Sequence, residues 1–85
     1  MLRIEGLYGG YLTRLKENVS VFFPVGVSDL PIPVVELLEV VEGEPGSAEV
    51  IGSYIVTTTR SHAMIALGTA SITLSKEALI RYLRQ

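Results

Sequence analysis

The sequence predicts one α+β domain: a small twisted antiparallel sheet, or a partly open barrel, of about five strands with two helices, in the order β-β-β-α-β-β-α. Three observations lead to this prediction. The length of 85 residues is that of a single domain. The hydrophobic content of 48% is too high for a disordered chain. Most apolar segments alternate with a period of two, which is typical of strands, whereas two segments follow the helical period.

The first three strands are predicted within residues 2–27. Residues 2–7 alternate, and Gly9 and Gly10 are typical of a hairpin turn before a return strand over Tyr11–Leu15. A polar connection follows, in which Asn18 suits a left-handed turn. Residues 19–27 alternate again. Because proline has no backbone N–H, Pro24 indicates that this third strand ends there or lies at a sheet edge.

The first helix is predicted over Val34–Val41. Its apolar residues follow the helical period, so Glu36, Glu39 and Glu42 share one narrow ridge. Ser28 or Asp29 is predicted to accept hydrogen bonds from free backbone N–H groups at a helix start. A strand is the alternative, because four of these eight residues are valine. In a strand, Glu39 would face away from the other two glutamates.

A long apolar stretch, residues 50–74, predicts two core strands with a polar corner at residues 57–61 between them. Residues 50–67 carry apolar groups on both faces, as in interior strands that are covered on both sides. Beyond Gly68, which suggests a bulge or bend, one face becomes polar. Ser75 is then predicted to cap a last helix over Lys76–Leu83.

Composition and charge narrow the functional classes. The chain has no cysteine, which excludes disulfides, thiolate zinc sites and cysteine nucleophiles. Asn18 and Gln85 are its single Asn and single Gln, a composition typical of thermophilic proteins. No leader pattern and no apolar run of about 20 residues is visible, so we expect a soluble cytoplasmic protein without membrane association.

The charges are segregated along the chain. No Lys or Arg occurs between Glu17 and Thr59, where seven acidic residues lie, and both ends are basic, although the net charge is only −2. The sequence favours the interpretation that the two ends fold back and neutralise the middle of the same chain. The alternative is a polar surface for a partner.

Ser61 and His62 are adjacent in the sequence, and their side chains are of the types that serve as nucleophile and general base. Adjacent side chains of an extended segment leave on opposite faces, so the imidazole is predicted not to reach the hydroxyl. Asp29 is the single Asp of the chain, and nothing in the sequence places it beside His62 to orient the imidazole. We therefore predict a protein that is not an enzyme.

The acidic ridge and the glycines also have ordinary explanations. Glu36, Glu39 and Glu42 offer oxygen ligands for Mg²⁺ or Ca²⁺, but this spacing is also the usual solvated face of a helix. The glycines at positions 6, 9 and 10 match no phosphate-binding motif and are interpreted as turn residues. The sequence therefore predicts no catalytic, cofactor-binding or metal-binding residue.

The function predicted from the sequence is that of a non-catalytic interaction or assembly module, either a homo-oligomer or a small subunit of a larger complex. The apolar content is high for so small a chain, which indicates that a partner covers part of it. We expect apolar helix faces to bury against that partner and basic C-terminal side chains to meet the acidic segment of a neighbour. The predicted contact residues are Leu37, Leu38, Val41, Leu79, Ile80, Leu83, Arg81 and Arg84.

The alternative is a small-barrel protein that binds single-stranded RNA or DNA through the Arg- and Tyr-containing N-terminal hairpin. Such barrels stack bases on aromatic rings beside basic side chains. The predicted contacts are Arg3, Tyr8, Tyr11, Arg14, Lys16, Arg60 and His62. Residues 8–15 also resemble a YGG-L-x-R-L segment of the small β-barrel subunit of RNA polymerases. The match covers about a tenth of the chain, so no function is carried over from it.

Overall fold

Two antiparallel sheets and two helices form the fold in the computed structural model, which describes residues 3–27 and 30–85. The first sheet consists of β1 (Arg3–Glu5), β2 (Tyr11–Leu15), β3 (Asn18–Phe23), β4 (Gly26–Val27) and β5 (Ile32–Pro33). The strands β1, β2 and β3 pair in sequence order. Both β4 and β5 pair with β3, β4 at its C-terminal end and β5 at its N-terminal end.

The second sheet is a four-stranded meander in which each strand pairs with the next. It consists of β6 (Ala48–Ile51), β7 (Tyr54–Thr58), β8 (His62–Leu67) and β9 (Ala70–Ser75). The turn before β2 meets the open side of β9, because the N–H of Leu7 donates to the carbonyl of Thr73 at 2.9 Å. This contact joins the two sheets.

The two helices are α1 (Val34–Val41) and α2 (Lys76–Leu83), so the helical interpretation of Val34–Val41 is confirmed. Ser75 caps α2 as predicted, since its hydroxyl accepts from the N–H of Ala78 at 3.3 Å. No side chain of the described residues caps the start of α1. The N–H of Val34 instead donates to the carbonyl of Glu17 at 2.8 Å. The predicted caps, Ser28 and Asp29, lie outside the described residues.

One hydrophobic core joins all these elements. It includes the inner faces of both sheets and of both helices, and residues from each are fully buried: Leu12, Val19, Val21, Ile32, Leu37, Val41, Val56, Ile65, Leu74 and Leu79. The predicted division of β9 is confirmed, because Ile72 and Leu74 are buried and Ser71 is exposed. Each sheet therefore has one side buried in the core, where it packs against the other sheet and the helices.

The α+β class is confirmed, but a single sheet of about five strands is wrong. Each long predicted strand is split by a tight turn. Residues 50–56 divide between β6 and β7 at Gly52, and residues 62–74 divide between β8 and β9 at Gly68. Both glycines have positive φ, of 60° and 61°, which two-residue hairpin turns require. The predicted third strand likewise turns back after Phe23, which leaves Val25 86% exposed.

The turn between β2 and β3 also differs from the prediction. Lys16, with a φ of 57°, takes the left-handed conformation, and Asn18 is the first residue of β3. A two-residue turn places this conformation at the position that follows the strand, whichever residue occupies it. The preference of Asn for the left-handed conformation therefore does not identify the turn position, which Lys16 occupies.

Candidate interaction surfaces

One face of the second sheet is exposed and carries no charged side chain. Alternate residues of β6 to β9 share this face, because successive side chains of a strand leave on opposite sides. The strand register arranges them in rows, of which we call two the outer face: Val50, Ile55, Ala66 and Ser71 in one row, and Ala48, Thr57, Met64 and Thr73 in the next. His62 and Ser75 form a further row on the same side of the sheet, beyond Met64 and Thr73.

The outer face corrects the prediction that residues 50–67 are covered on both sides. Val50, Ile55 and Met64 are 72%, 49% and 38% exposed. Both helices contribute to the single core on the opposite side of this sheet, so residues 3–27 and 30–85 leave these three side chains open. The sequence is that of strands with two apolar faces, and residues 3–27 and 30–85 bury only one of them.

The strand β6 forms an edge of the second sheet. It bonds to β7 on one side, and no strand within residues 3–27 or 30–85 pairs with its other side. The two-residue turn at residues 52–53 makes Ile51 and Tyr54 a hydrogen-bonded pair. Hydrogen-bonded pairs alternate along antiparallel strands, so the backbone groups of Ala48 and Val50 point away from β7.

An open cleft of about 560 Å³ lies between α1 and β6. Four carboxylates line it, from Glu36 and Glu39 of α1, Glu44 of the following turn and Glu49 of β6. None of them forms an ion pair with a Lys or Arg of residues 3–27 and 30–85. In that part of the chain no group of three or more acidic or histidine side chains is arranged to hold a metal ion. This acidic cleft is therefore an extended negative surface.

The predicted glutamate ridge of α1 is divided. Glu36 and Glu39 line the acidic cleft, whereas Glu42 binds the guanidinium of Arg84, whose Nε lies 3.1 Å from the Glu42 carboxylate. Glu42 follows the last residue of α1, where the helix has reached α2. At this contact the basic C-terminal segment does neutralise the acidic middle of the same chain.

The predicted docking residues on the helices are corrected by their burial. Leu37, Val41 and Leu79 have no exposed surface, and Leu83 is 2% exposed. Leu38 and Ile80 are partly buried and pack against the same core. These apolar stripes cover the chain's own sheets, so a partner cannot contact the buried residues in this fold. The helical period identifies the apolar face of each helix, but it does not show whether a partner or the chain's own sheets cover that face.

The two arginines predicted to meet a neighbour have partners in their own chain. Arg84 binds Glu42, and the Arg81 guanidinium lies 3.9 Å from the Glu77 carboxylate, one helical turn away. Both members of the second pair are mostly exposed, so that pair contributes little to stability. Arg81 therefore remains on the surface beside its partner.

The aromatic ring of Tyr11 is enclosed within the first sheet. It stacks on Phe22 with 4.4 Å between ring centroids, and the Arg3 guanidinium carbon lies 4.6 Å from its centroid. Phe22 and Arg3 come from β3 and β1, which flank β2 on opposite sides. A nucleotide base can stack on Tyr11 only if one of these contacts breaks.

Arg14 closes the C-terminal end of α2. Its Nη1 donates to the carbonyls of Leu83 at 2.6 Å and Gln85 at 2.8 Å, and its Nε donates to Lys16 at 2.8 Å. Its backbone N–H donates to the Tyr82 hydroxyl at 2.8 Å. The side chain predicted to contact nucleic acid thus satisfies helix-end carbonyls that have no partner within the helix.

Replacing Arg14 with lysine is expected to lower the free energy of unfolding by about 1–3 kcal/mol, because an ammonium cannot reproduce the fork of hydrogen bonds to three carbonyls. Urea denaturation followed by circular dichroism measures the change. The matched control is Lys16→Gln, which changes an exposed neighbour and is expected to stay within about 0.5 kcal/mol of the parent. Equal stability of the Arg14→Lys protein would mean that only the charge at this position matters.

The remaining predicted nucleic-acid contacts are divided between the two sheets. Tyr8 is 82% exposed in the turn before β2, and Lys16 is exposed in the turn after it. Arg60 and His62 lie at the β7–β8 connection of the second sheet. The structure therefore does not combine the seven residues into one hairpin surface.

Ser61 and His62 contact each other, contrary to the prediction. Their Oγ and Nδ1 atoms are 2.8 Å apart. Ser61 lies in the turn before β8, where the Thr59 hydroxyl accepts from the N–H groups of Ser61 at 3.3 Å and His62 at 3.0 Å. The backbone is thus not extended there. The carbonyl of Ser61 also accepts from the Lys76 N–H at 2.9 Å, which ties this turn to the start of α2.

This contact lacks the surroundings of a nucleophile and base. Ser61 is exposed, and within the described residues no side chain bonds the second ring nitrogen of His62. Catalysis of this type needs a group that orients the base and donors that stabilise a developing oxyanion. Asp29, the single Asp of the chain, lies outside the described residues.

Comparisons with known proteins add no relative to this picture. No protein-family model matches the sequence, and no curated protein or solved structure is significantly similar to it. Among the described residues, neither helix has the length and apolar character needed to cross a membrane. The proposals below therefore rest on the chain's own surfaces.

Proposed function

We propose that this chain is a non-catalytic interaction module that associates with a second copy of itself through the outer face. One observation carries the proposal. Strands that are apolar on both sides leave one side bare, with Val50, Ile55 and Met64 substantially exposed. Exposed apolar patches on small proteins commonly mark interaction sites.

A second copy is the partner that fits the outer face. In a two-fold contact the same surface meets itself, so a charge near the two-fold axis faces its own copy. The outer face has hydroxyl and apolar side chains and no charge, which removes that repulsion. Two such faces can pack with sheets about 10 Å apart, as in a β-sandwich.

The size of the apolar patch sets the expected strength. Covering what remains exposed of Val50, Ile55 and Met64 contributes on the order of 1 kcal/mol per side chain, and two copies supply six such side chains. Association costs at least about 4 kcal/mol in lost freedom of motion. The remainder of about 2 kcal/mol is small, so we expect a weak, reversible dimer that forms only at high protein concentration.

Sedimentation equilibrium over a concentration series tests the proposal. The protein is expected to shift from monomer to dimer, and Ile55→Lys, which places a charge at the centre of the outer face, is expected to remain monomeric. The matched control is Val25→Lys, which changes an 86% exposed residue of the turn between β3 and β4 and is expected to dimerise like the parent. A parent that stays monomeric, or a dimer that Ile55→Lys leaves intact, would contradict the proposal.

Salt separates apolar from ionic association. Because the outer face is uncharged, raising the salt concentration is expected to leave the dimer intact or strengthen it. Dissociation in high salt would instead indicate contacts between charged surfaces.

Single-stranded nucleic-acid binding stays a prediction from the sequence. Four members of the predicted set are exposed: Arg3, Tyr8, Lys16 and Arg60. Binding through them would weaken as salt increases. Fluorescence anisotropy with labelled single-stranded RNA and DNA at low salt tests it, and a flat titration removes this alternative.

A further inference from the structure

The open edge of β6 and the acidic cleft beside it form one continuous surface. The backbone groups of Ala48 and Val50 point away from β7, as the pairing pattern requires. On one side of this edge the side chain of Val50 belongs to the outer face. On the other side Glu49 belongs to the acidic cleft. Any chain that pairs with β6 therefore meets an apolar row on one side and carboxylates on the other.

We propose that β6 and the acidic cleft bind an extended segment of another protein that carries Lys or Arg at alternate positions. Strand addition at a sheet edge supplies main-chain hydrogen bonds, and pockets for alternate side chains supply specificity. Side chains two residues apart on the added strand lie on the same face, about 7 Å from each other. Their cations meet Glu36, Glu39, Glu44 and Glu49, and the intervening side chains extend the row that begins at Val50.

Charge complementarity identifies the occupant. The four carboxylates have no ion-pair partner within the described residues, and no three of them are arranged to share a metal ion. Several separate cations on one extended chain fit such a surface better than one compact ion. A second copy paired through β6 would bring two acidic clefts together, so like-charge repulsion disfavours it at this edge.

This proposal assigns a second surface to the interaction module and does not depend on dimerisation. Added strands pair in the plane of the sheet, whereas dimerisation covers the outer face from above. The two are measured separately, peptide binding by fluorescence anisotropy and self-association by sedimentation. Failure of one leaves the result of the other unaffected.

Three labelled synthetic peptides form the test. The first alternates lysine and threonine over eight residues. The second has glutamate in place of each lysine. The third keeps the lysines, but every second backbone amide is N-methylated. The methylated amides are those on the edge of the peptide that would pair with β6, so they cannot donate hydrogen bonds to it. Only the first is expected to bind at low salt, at least tenfold more tightly than the other two, and to weaken as salt rises.

Two protein variants locate the binding site. The double substitution Glu36→Gln and Glu39→Gln is expected to weaken binding of the lysine peptide at least tenfold, whereas Glu77→Gln on α2 is expected to leave it unchanged. Ala48→Pro removes one backbone donor at the first residue of an edge strand, where proline is tolerated. It is expected to weaken binding several-fold, whereas Ala48→Val, which keeps the N–H, is not.

Three results would overturn the proposal. They are the absence of binding by the lysine peptide at low salt, equal binding of the N-methylated peptide, and unchanged binding by the double glutamine variant. Equal binding of the methylated peptide would reduce the interaction to general attraction between a polycation and an acidic protein.

Discussion

Leu37→Ala is expected to lower the free energy of unfolding by about 2–5 kcal/mol. Leu37 has no exposed surface and belongs to the core that joins both sheets and both helices. Truncating it removes buried apolar surface and leaves a cavity that a small core can only partly close. A chain of this size has roughly 4–13 kcal/mol of stability, so the loss is a large fraction of the total.

Urea denaturation at fixed protein concentration measures this loss, since association itself stabilises the folded state. The matched control is Val35→Ala on the same helix, where the side chain is 73% exposed. It is expected to change stability by no more than about 0.5 kcal/mol. If Leu37→Ala weakens self-association but leaves unfolding unchanged, Leu37 is a docking residue and the core described above is wrong.

Gly10→Ala is the second large effect, and we expect it to lower the free energy of unfolding by about 1–3 kcal/mol. A β-carbon at Gly10 would lie 2.8 Å from the carbonyl oxygen of Phe22 and 2.9 Å from Cδ1 of Ile72. The first of these atoms is backbone, so β3 itself has to move. Gly10 lies where the first hairpin approaches β9, and the shift therefore loosens the junction of the two sheets.

Thermal unfolding measures this change, at about 4–8 °C for each kcal/mol in a chain of this size. Tyr8→Ala is the control in the same turn, because Tyr8 is 82% exposed and its removal is expected to have little effect. A Gly10→Ala protein as stable as the parent would show that the close approach does not exist in solution.

Local patterns predicted the elements better than their arrangement. The helical period located α1 and α2, and the serine before α2 identified its cap. The alternating period cannot distinguish one long strand from two strands joined by a short turn. Gly52 and Gly68 therefore had to be recognised as hairpin turns, and the number of strands was underestimated. Pro24 did indicate the end of β3.

The candidate surfaces depended on long-range packing that the sequence does not contain. Apolar stripes on α1 and α2 predicted docking faces, but the sheets of the same chain cover Leu37 and Leu79. Conversely, residues 50–67 predicted strands covered on both sides, and one side is bare. The acidic cleft had a signal in the sequence, the absence of Lys and Arg between Glu17 and Thr59. Its association with an open strand edge required the fold.

The central claim is that a second copy covers the outer face, and Met64 reports on it directly. Hydrogen peroxide converts exposed methionine to the sulfoxide, and mass spectrometry of the Met64 peptide gives its rate at each protein concentration. We predict that oxidation of Met64 slows several-fold as the parent protein associates and does not slow in Ile55→Lys. An unchanged oxidation rate in a sample that sedimentation shows to be dimeric would contradict the claim and place the contact on another surface.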